Sequence, residues 1–161
     1  MTKDELLKKT KERFGDRIRN IFEKSYKRIY IDIDPKDLTD FVKFIFNESE
    51  ARFNTASCVD MLDSMEILYH FSFAKASLVV SLRASLDKKS LVIESLTSIM
   101  KGAEWIEREI HELFGVEFKN HPNMRKLLLP DDWPEGLYPL RRDYKEEDYE
   151  IRKAEKEEGK S

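Results

Sequence analysis

A chain of 161 residues has room for one domain with a sizeable core. With 29 Lys and Arg against 32 Asp and Glu, the net charge is −3, and nucleic-acid binding has no global electrostatic support. No apolar run approaches the roughly 20 residues that span a bilayer, the N-terminal MTKDELLKKT lacks a signal peptide's apolar centre, and a single cysteine, Cys58, excludes an internal disulfide or an iron–sulfur cluster ligated by these thiolates alone.

Lys3 to Phe14 reads as an amphipathic helix with Leu6, Leu7, Thr10 and Phe14 near one face and Gly15 closing it. In Arg28 to Asp34, Ile29, Ile31 and Ile33 alternate with Tyr30, Asp32 and Asp34, the period of a strand with one buried face. Asp34-Pro35 then opens a helix through about Asn47 that buries Leu38, Phe41, Val42, Ile45 and Phe46. Arg52 to Met61, Met65 to Phe73 and Ser77 to Leu86 come next as strands, with Leu91 to Glu94 a candidate fourth. Met65, Ile67, Tyr69, Phe71 and Phe73 share one face, as do Leu78, Val80, Leu82, Ala84 and Leu86. Short connections such as Ala74-Lys75-Ala76 imply antiparallel neighbours. The expected fold is α+β: a meander-like antiparallel or mixed sheet of four to five strands packed by helices, with an extended C-terminal arm. The chain divides into an α+β domain (1–102), a helix with an extended arm (103–144) and a charged tail (145–161), the last a solvated helix or a disordered segment in isolation.

The stretch from Ala103 to Tyr144 carries both tryptophans, two of the three histidines and four of the five prolines. A wheel begun at Trp105 gathers Trp105, Ile106, Ile110, Leu113 and Phe114 into an apolar half and leaves Glu107, Arg108, His111 and Glu112 outside. Glu104–Arg108 and Arg108–Glu112 are then ordinary exposed pairs one turn apart. Glu109 falls on the apolar arc and asks for a guanidinium, for which Arg125, Arg141 and Arg142 are candidates. Gly115 is a plausible C-cap, and Pro122, Pro130, Pro134 and Pro139 keep the segment after it out of helix and central strand. Trp133, Tyr138 and Leu127 to Leu129 form an apolar string on this extended backbone, suited to lying over a partner.

Reactive constellations are sparse. His111-Glu112 begins like a zinc-protease motif, but the second histidine would fall at Gly115. Glu107 and His111, one turn apart, suit a helix pair better than a metal site. His70, between apolar strand neighbours, fits a half-buried sheet residue, and Cys58 a small buried hydrophobe. His121, before Pro122, fits a backbone-bonding turn better than a proton shuttle.

Glu107-Arg108-Glu109, Leu113-Phe114-Gly115-Val116 with Phe118, His121-Pro122-Asn123-Met124-Arg125, and Tyr138-Pro139-Leu140-Arg141-Arg142-Asp143 occur in that order. Together they resemble the signature of the thirty-kilodalton subunit family of respiratory complex I: a Glu-Arg-Glu helix, a Gly-His-Pro-Asp-Leu-Arg turn and a Pro-Leu-Arg-Lys-Asp finish. The chain departs from it at Asn120, Asn123, Met124 and Arg142. Ile110-His111-Glu112 and the insertion Leu129 to Glu135 look more like the corresponding subunit of membrane-bound, energy-converting nickel–iron hydrogenases and their ferredoxin-linked relatives. The resemblance is specific over about forty residues and only topological elsewhere.

It implies a non-catalytic structural subunit, peripheral on the cytoplasmic face of the cell membrane and attached there only through its partners. Those partners would be a large catalytic-type, hydrogenase-like subunit and a small iron–sulfur subunit. Iron–sulfur clusters, and nickel–iron where the large subunit holds it, would reside in them, with no cofactor, catalytic residue or metal ligand in this chain. The complex would couple electron transport to proton or sodium translocation. Trp105, Arg108, Glu109, His121, Arg125, Trp133, Tyr138, Arg141, Arg142 and Asp143 are then expected to hold fold and interface. Two rivals stand beside this reading: the equivalent subunit of a complex I type quinone or methanophenazine reductase, and a free-standing acid–base enzyme using His111 or His121.

Overall fold

The computed structural model describes residues 1–159; residues 160–161 of the charged tail lie outside the described residues. Helix α1 (Lys3–Phe14) starts on a reciprocal cap, with Thr2 Oγ1 accepting from the Glu5 amide at 3.2 Å and Glu5 Oε2 accepting from the Thr2 amide at 2.8 Å. Its inner face carries Leu6, Thr10 and Phe14 into the core. Phe14 stacks on Phe41 with ring centroids 3.8 Å apart, so aromatic packing joins the first helix to the second.

The second helix is broken into three kinds of turn. Pro35–Asp37 winds as a 3₁₀ turn, α2 (Leu38–Val42) comes next, and Lys43–Glu48 continues as a π-helix. The widened turn leaves Phe44 and Ile45, adjacent in sequence, both buried.

Five strands make the main sheet: β1 (Ile18–Ser25), β2 (Arg28–Ile33), β3 (Arg52–Asp60), β4 (Ser64–Phe73) and β5 (Leu78–Asp87), in the order β1-β2-β5-β4-β3. It is a mixed sheet and not a pure meander. β2 runs parallel to β5, with Ile29 beside Val80 and Ile31 beside Leu82, while the β1–β2, β4–β5 and β3–β4 pairs are antiparallel. The parallel pair arises because α2 crosses over between β2 and the later strands, which a hairpin cannot do. β1 breaks its register between Ile18 and Asn20 and again between Glu23 and Ser25. Those bulges erase the period-two alternation, so the strand leaves no periodic trace in the sequence.

The even faces recognised in sequence meet in one core. Ile29, Ile31, Ile33, Met65, Ile67, Tyr69, Phe71, Val80, Leu82 and Ala84 are all sealed from solvent, under Leu38, Phe41 and Val42. The opposite face is a polar lattice. Arg83 binds Asp32 through two bonds of 2.7 and 2.8 Å and stands 3.8 Å from Glu66, and His70 bridges Ser57 and Ser81 across three strands. His70 is a sheet residue as expected, but it is buried, not half-buried; the two serine hydroxyls hold its ring, and burial lowers its pKa. Cys58 is half-buried, its thiol pushed up to about 12 by burial and by Asp60.

The segment Leu91 to Glu94 does not extend the main sheet. Its β6 (Val92–Glu94) pairs in parallel with β7 (Glu117–Lys119), forming a small second sheet that straddles α3 (Ala103–Phe114). The tail forms α4 (Glu146–Glu158), a helix with no fully buried residue. Among the described residues, no helix is long and apolar enough to cross a membrane.

Candidate functional site

Helix α3 faces inward differently from the wheel begun at Trp105. Ala103, Glu107, Arg108, Ile110 and Glu112 are buried, and Trp105 is 67% exposed. The inward stripe starts two residues earlier, at Ala103, and runs through Glu107, Ile110 and Phe114. A wheel begun at Trp105 starts too late to show it. Glu107, Arg108 and Glu112, expected on the solvent face, are therefore inside, each bonded to backbone.

Glu107 accepts from Ser95 Oγ at 2.6 Å and from the Leu96 amide at 2.8 Å, which fixes the entry into α3. Burial raises its carboxyl pKa to about 7, against the lowering effect of those two donors. His121 Nε2 stands 4.0 Å from Glu107 Oε2 and donates to the Glu104 carbonyl at 3.0 Å, while Nδ1 accepts from the Asn123 amide at 3.1 Å. His121 is thus the backbone-bonding turn residue anticipated. It sits after Asn120, whose φ of +62° belongs to the left-handed region that Gly or Asn tolerates.

Arg108 donates through Nε to the Arg125 carbonyl at 3.0 Å and through Nη2 to the Lys126 carbonyl at 2.7 Å. Glu112 then receives the next amides, Leu127 at 2.9 Å and Leu128 at 2.5 Å, with Leu129 at 3.4 Å. One turn of α3 so reads the arm twice, a cation on its carbonyls and a carboxylate on its amides. The expected Glu104–Arg108 and Arg108–Glu112 surface pairs are absent among the described residues, because the arm's peptide groups take the charges of Arg108 and Glu112. Charge-assisted bonds of this kind are worth more than exposed ion pairs, about 1.5–3 kcal/mol each when buried.

Beyond that clamp the arm folds back and is not extended. Lys126 Nζ donates to the carbonyls of Pro130, Asp131 and Trp133 at 3.1, 2.9 and 3.0 Å, closing a loop around its ammonium. Trp133 donates Nε1–H to the Leu137 carbonyl at 2.9 Å and stacks on Tyr149 of α4 at 4.7 Å. Of the apolar string only Leu128 is exposed, at 60%; Leu127, Leu129, Trp133 and Tyr138 are half-buried by these folds. His111 Nδ1–H donates to the Val116 carbonyl at 2.8 Å, across the C-terminal turn of α3.

The arm's end caps α3. The Leu140 amide bonds the Leu113 carbonyl at 3.2 Å, and Arg141 Nε bonds the Phe114 carbonyl at 2.7 Å. These are orphan carbonyls at the negative end of the helix, where a cation is favoured. The Arg141 guanidinium also lies 4.3 Å over the Tyr138 ring. Gly115, with φ +74°, leaves room for both: a Cβ there would meet the Tyr138 ring at 2.5 Å and Arg141 Nη2 at 2.6 Å. Arg142 is exposed, and its amide donates to Asp60 Oδ2 at 2.8 Å, while Lys88 Nζ sits 2.6 Å from Asp60 Oδ1. Asp143 and Arg125 are exposed.

Four holding residues, Glu107, Glu112, Lys126 and Asp60, carry no mark of that role in the sequence. The ion pair expected between Glu109 and one of Arg125, Arg141 or Arg142 does not occur among the described residues, and Glu109 stays half-buried without a hydrogen bond. The arginines are committed to backbone or directed outward, and the arm crosses α3 on the Arg108–Glu112 side instead.

Comparison with known proteins bears on this arrangement. A family model described as "Respiratory-chain NADH dehydrogenase, 30 Kd subunit" matches residues 31–150, which include most of the sheet, α3 and the arm. The C subunit of F(420)H(2) dehydrogenase from Methanosarcina mazei is 45% identical over 82 residues, covering 51% of each protein; the chain spans about half the length of that relative. The C subunit of NADH-quinone oxidoreductase from Citrifermentans bemidjiense is 30% identical over 141 residues, covering 84% of this chain and 85% of that one. Among solved structures, a chain of the membrane-bound sulfane sulfur reductase, an archaeal respiratory membrane complex, shares the fold with a TM-score of 0.79 at 23% identity, over 94% of this chain and 91% of that one. With a family model spanning most of the sheet, the helix and the arm, the chain belongs to the 30-kDa subunit family of the respiratory-chain NADH dehydrogenase.

Proposed function

We propose that this chain is a non-catalytic structural subunit of a membrane-bound hydrogenase or related ferredoxin-linked oxidoreductase. It docks a large catalytic-type subunit and orders the electron-transfer module that includes a small iron–sulfur subunit. The observation that carries this reading is the engagement of Glu107, Arg108 and Glu112 with backbone: the buried charges of the signature helix position a chain segment. Iron–sulfur clusters and nickel–iron would then belong to partners, and ion translocation to the assembled complex. The chain would reach the cytoplasmic face of the membrane only through those partners.

A second reading is favoured by the likeness to the C subunit of NADH-quinone oxidoreductase, 30% identical over 84% of this chain: the equivalent subunit of a complex I type quinone or methanophenazine reductase. The large partner distinguishes the two. Two CxxC pairs in it imply nickel–iron chemistry, and their lack implies the other acceptor.

The test is Arg141→Ala in the native host, read by native electrophoresis and by turnover per assembled complex. Assembled complex should fall while the remaining complexes keep their turnover. Full assembly with lost turnover would contradict a structural role.

A further inference from the structure

We infer that the outward stripe of α3, centred on Trp105 and Glu109, receives the partner subunit, and that the partner presents an arginine or lysine within an apolar surround. This rests on the docking role proposed for the chain and assigns it a surface that is not the arm.

The other sides of α3 are already occupied. Ala103, Glu107 and Ile110 face the core, and Arg108 and Glu112 face the arm. The side left over carries Trp105, Glu109 and Leu113, on successive turns and spanning about 12 Å of helix axis. Trp105 is 67% exposed, a costly place for the largest apolar side chain unless something covers it. The arm's own tryptophan is not comparable, because Trp133 is stacked on Tyr149 and its indole N–H is bonded.

Charge complementarity names the occupant. Glu107 and Glu112 are each satisfied by backbone donors, and Glu109 is half-buried between Trp105 and Leu113 with no hydrogen bond or ion pair among the described residues. A partly desolvated carboxylate in apolar company is stabilised by a cation arriving in the same setting. The surface continues past the helix. Leu140, 54% exposed, is held at Leu113, and the bond from Arg142 to Asp60 brings the β3–β4 hairpin tip alongside, where Leu62 is 75% exposed. A central aromatic and a charge within an apolar rim is the composition of an interface hot spot. On the opposite sheet face Arg83, Asp32 and Glu66 pair with one another.

The experiment uses tagged full-length chain in its native host, with the complex solubilised gently. Trp105→p-benzoylphenylalanine and, on the far sheet face, Phe22→p-benzoylphenylalanine are irradiated before purification. Position 105 should give a covalent adduct with a partner subunit and position 22 none. Glu109→Lys should lower recovered partner about tenfold, Glu109→Gln less, and Ile151→Ala on exposed α4 not at all, with unchanged melting of each isolated chain. Wild-type bait that recovers partners while Glu109→Lys and Trp105→Ala recover them equally well would overturn this assignment alone. Wild-type bait that recovers no partner would overturn the docking role as well.

Discussion

His121 Nε2 stands 4.0 Å from Glu107 Oε2, and both side chains are sealed from solvent, at 1% and 0% exposure. The turn that starts the arm and the carboxylate that fixes the start of α3 therefore share one buried site. Glu94, one residue from Ser95, raises the Glu107 pKa further, and burial followed by the charge of Glu107 raises that of the fully buried Tyr69.

A pH dependence results from that carboxylate. The Glu107 pKa rises from an ordinary 4.5 to about 7 on folding, so the native state binds more protons than the unfolded chain between those values. Its contribution is fully present below about pH 4.5 and is lost as pH rises through about 7, a change of about 3 kcal/mol. His70 runs the other way, its lowered pKa costing stability on acidification. The readout is therefore the difference between wild type and Glu107→Gln in denaturant midpoints from pH 4.5 to 8. Wild type should lose stability relative to the variant as pH rises, and a flat difference would contradict the buried, raised carboxyl.

Glu112→Ala removes the acceptor for the Leu127 and Leu128 amides. The expected loss is about 2–4 kcal/mol, with faster amide exchange at residues 127–129 and little change in the sheet. Glu112→Gln keeps one acceptor oxygen and should lose about half as much. Equal exchange at the three amides in wild type and Glu112→Ala would show that the clamp does not order the arm.

Gly115→Ala places a Cβ against the Tyr138 ring and the Arg141 guanidinium while holding a left-handed φ of +74°. The backbone alone costs about 1–2 kcal/mol. Chemical denaturation should show at least that loss, and Tyr138→Ala in the same background should relieve the steric part, leaving the backbone part. A variant as stable as wild type would contradict the close approach.

Lys126→Met keeps much of the stem volume and removes the ammonium that gathers the carbonyls of Pro130, Asp131 and Trp133. The loop should loosen without unfolding the sheet, at a cost of about 1–3 kcal/mol. Trp133 fluorescence is the local probe: quenching by added iodide should increase in the variant, and unchanged quenching would contradict the role given to the lysine.

Legibility in the sequence tracks the strength of the period. The alternation from Met65 to Phe73 and from Leu78 to Leu86 locates two central strands and their buried faces, because a strand inside a sheet with one covered face has no freedom in which side chains turn inward. β1 is invisible because bulges at both ends break the alternation and most of the strand is exposed. The parallel β2–β5 pairing is equally hidden, since strand order is a matter of crossover and no local residue reports it. On α3 the signature residues are legible and their orientation is not. Periodicity treats Glu and Arg as outward-facing, and Glu107, Arg108 and Glu112 are buried because peptide groups far along the chain satisfy them. Ala103, two residues before the tryptophan, is the signal that rotates the wheel.

The central claim is that this chain acts by assembly. Tagging it in its native host, solubilising the membranes gently and identifying the copurifying proteins by mass spectrometry tests that claim most directly. The account predicts recovery with a large catalytic-type subunit, iron–sulfur proteins and integral membrane subunits; recovery of the chain alone as a monomer would contradict it.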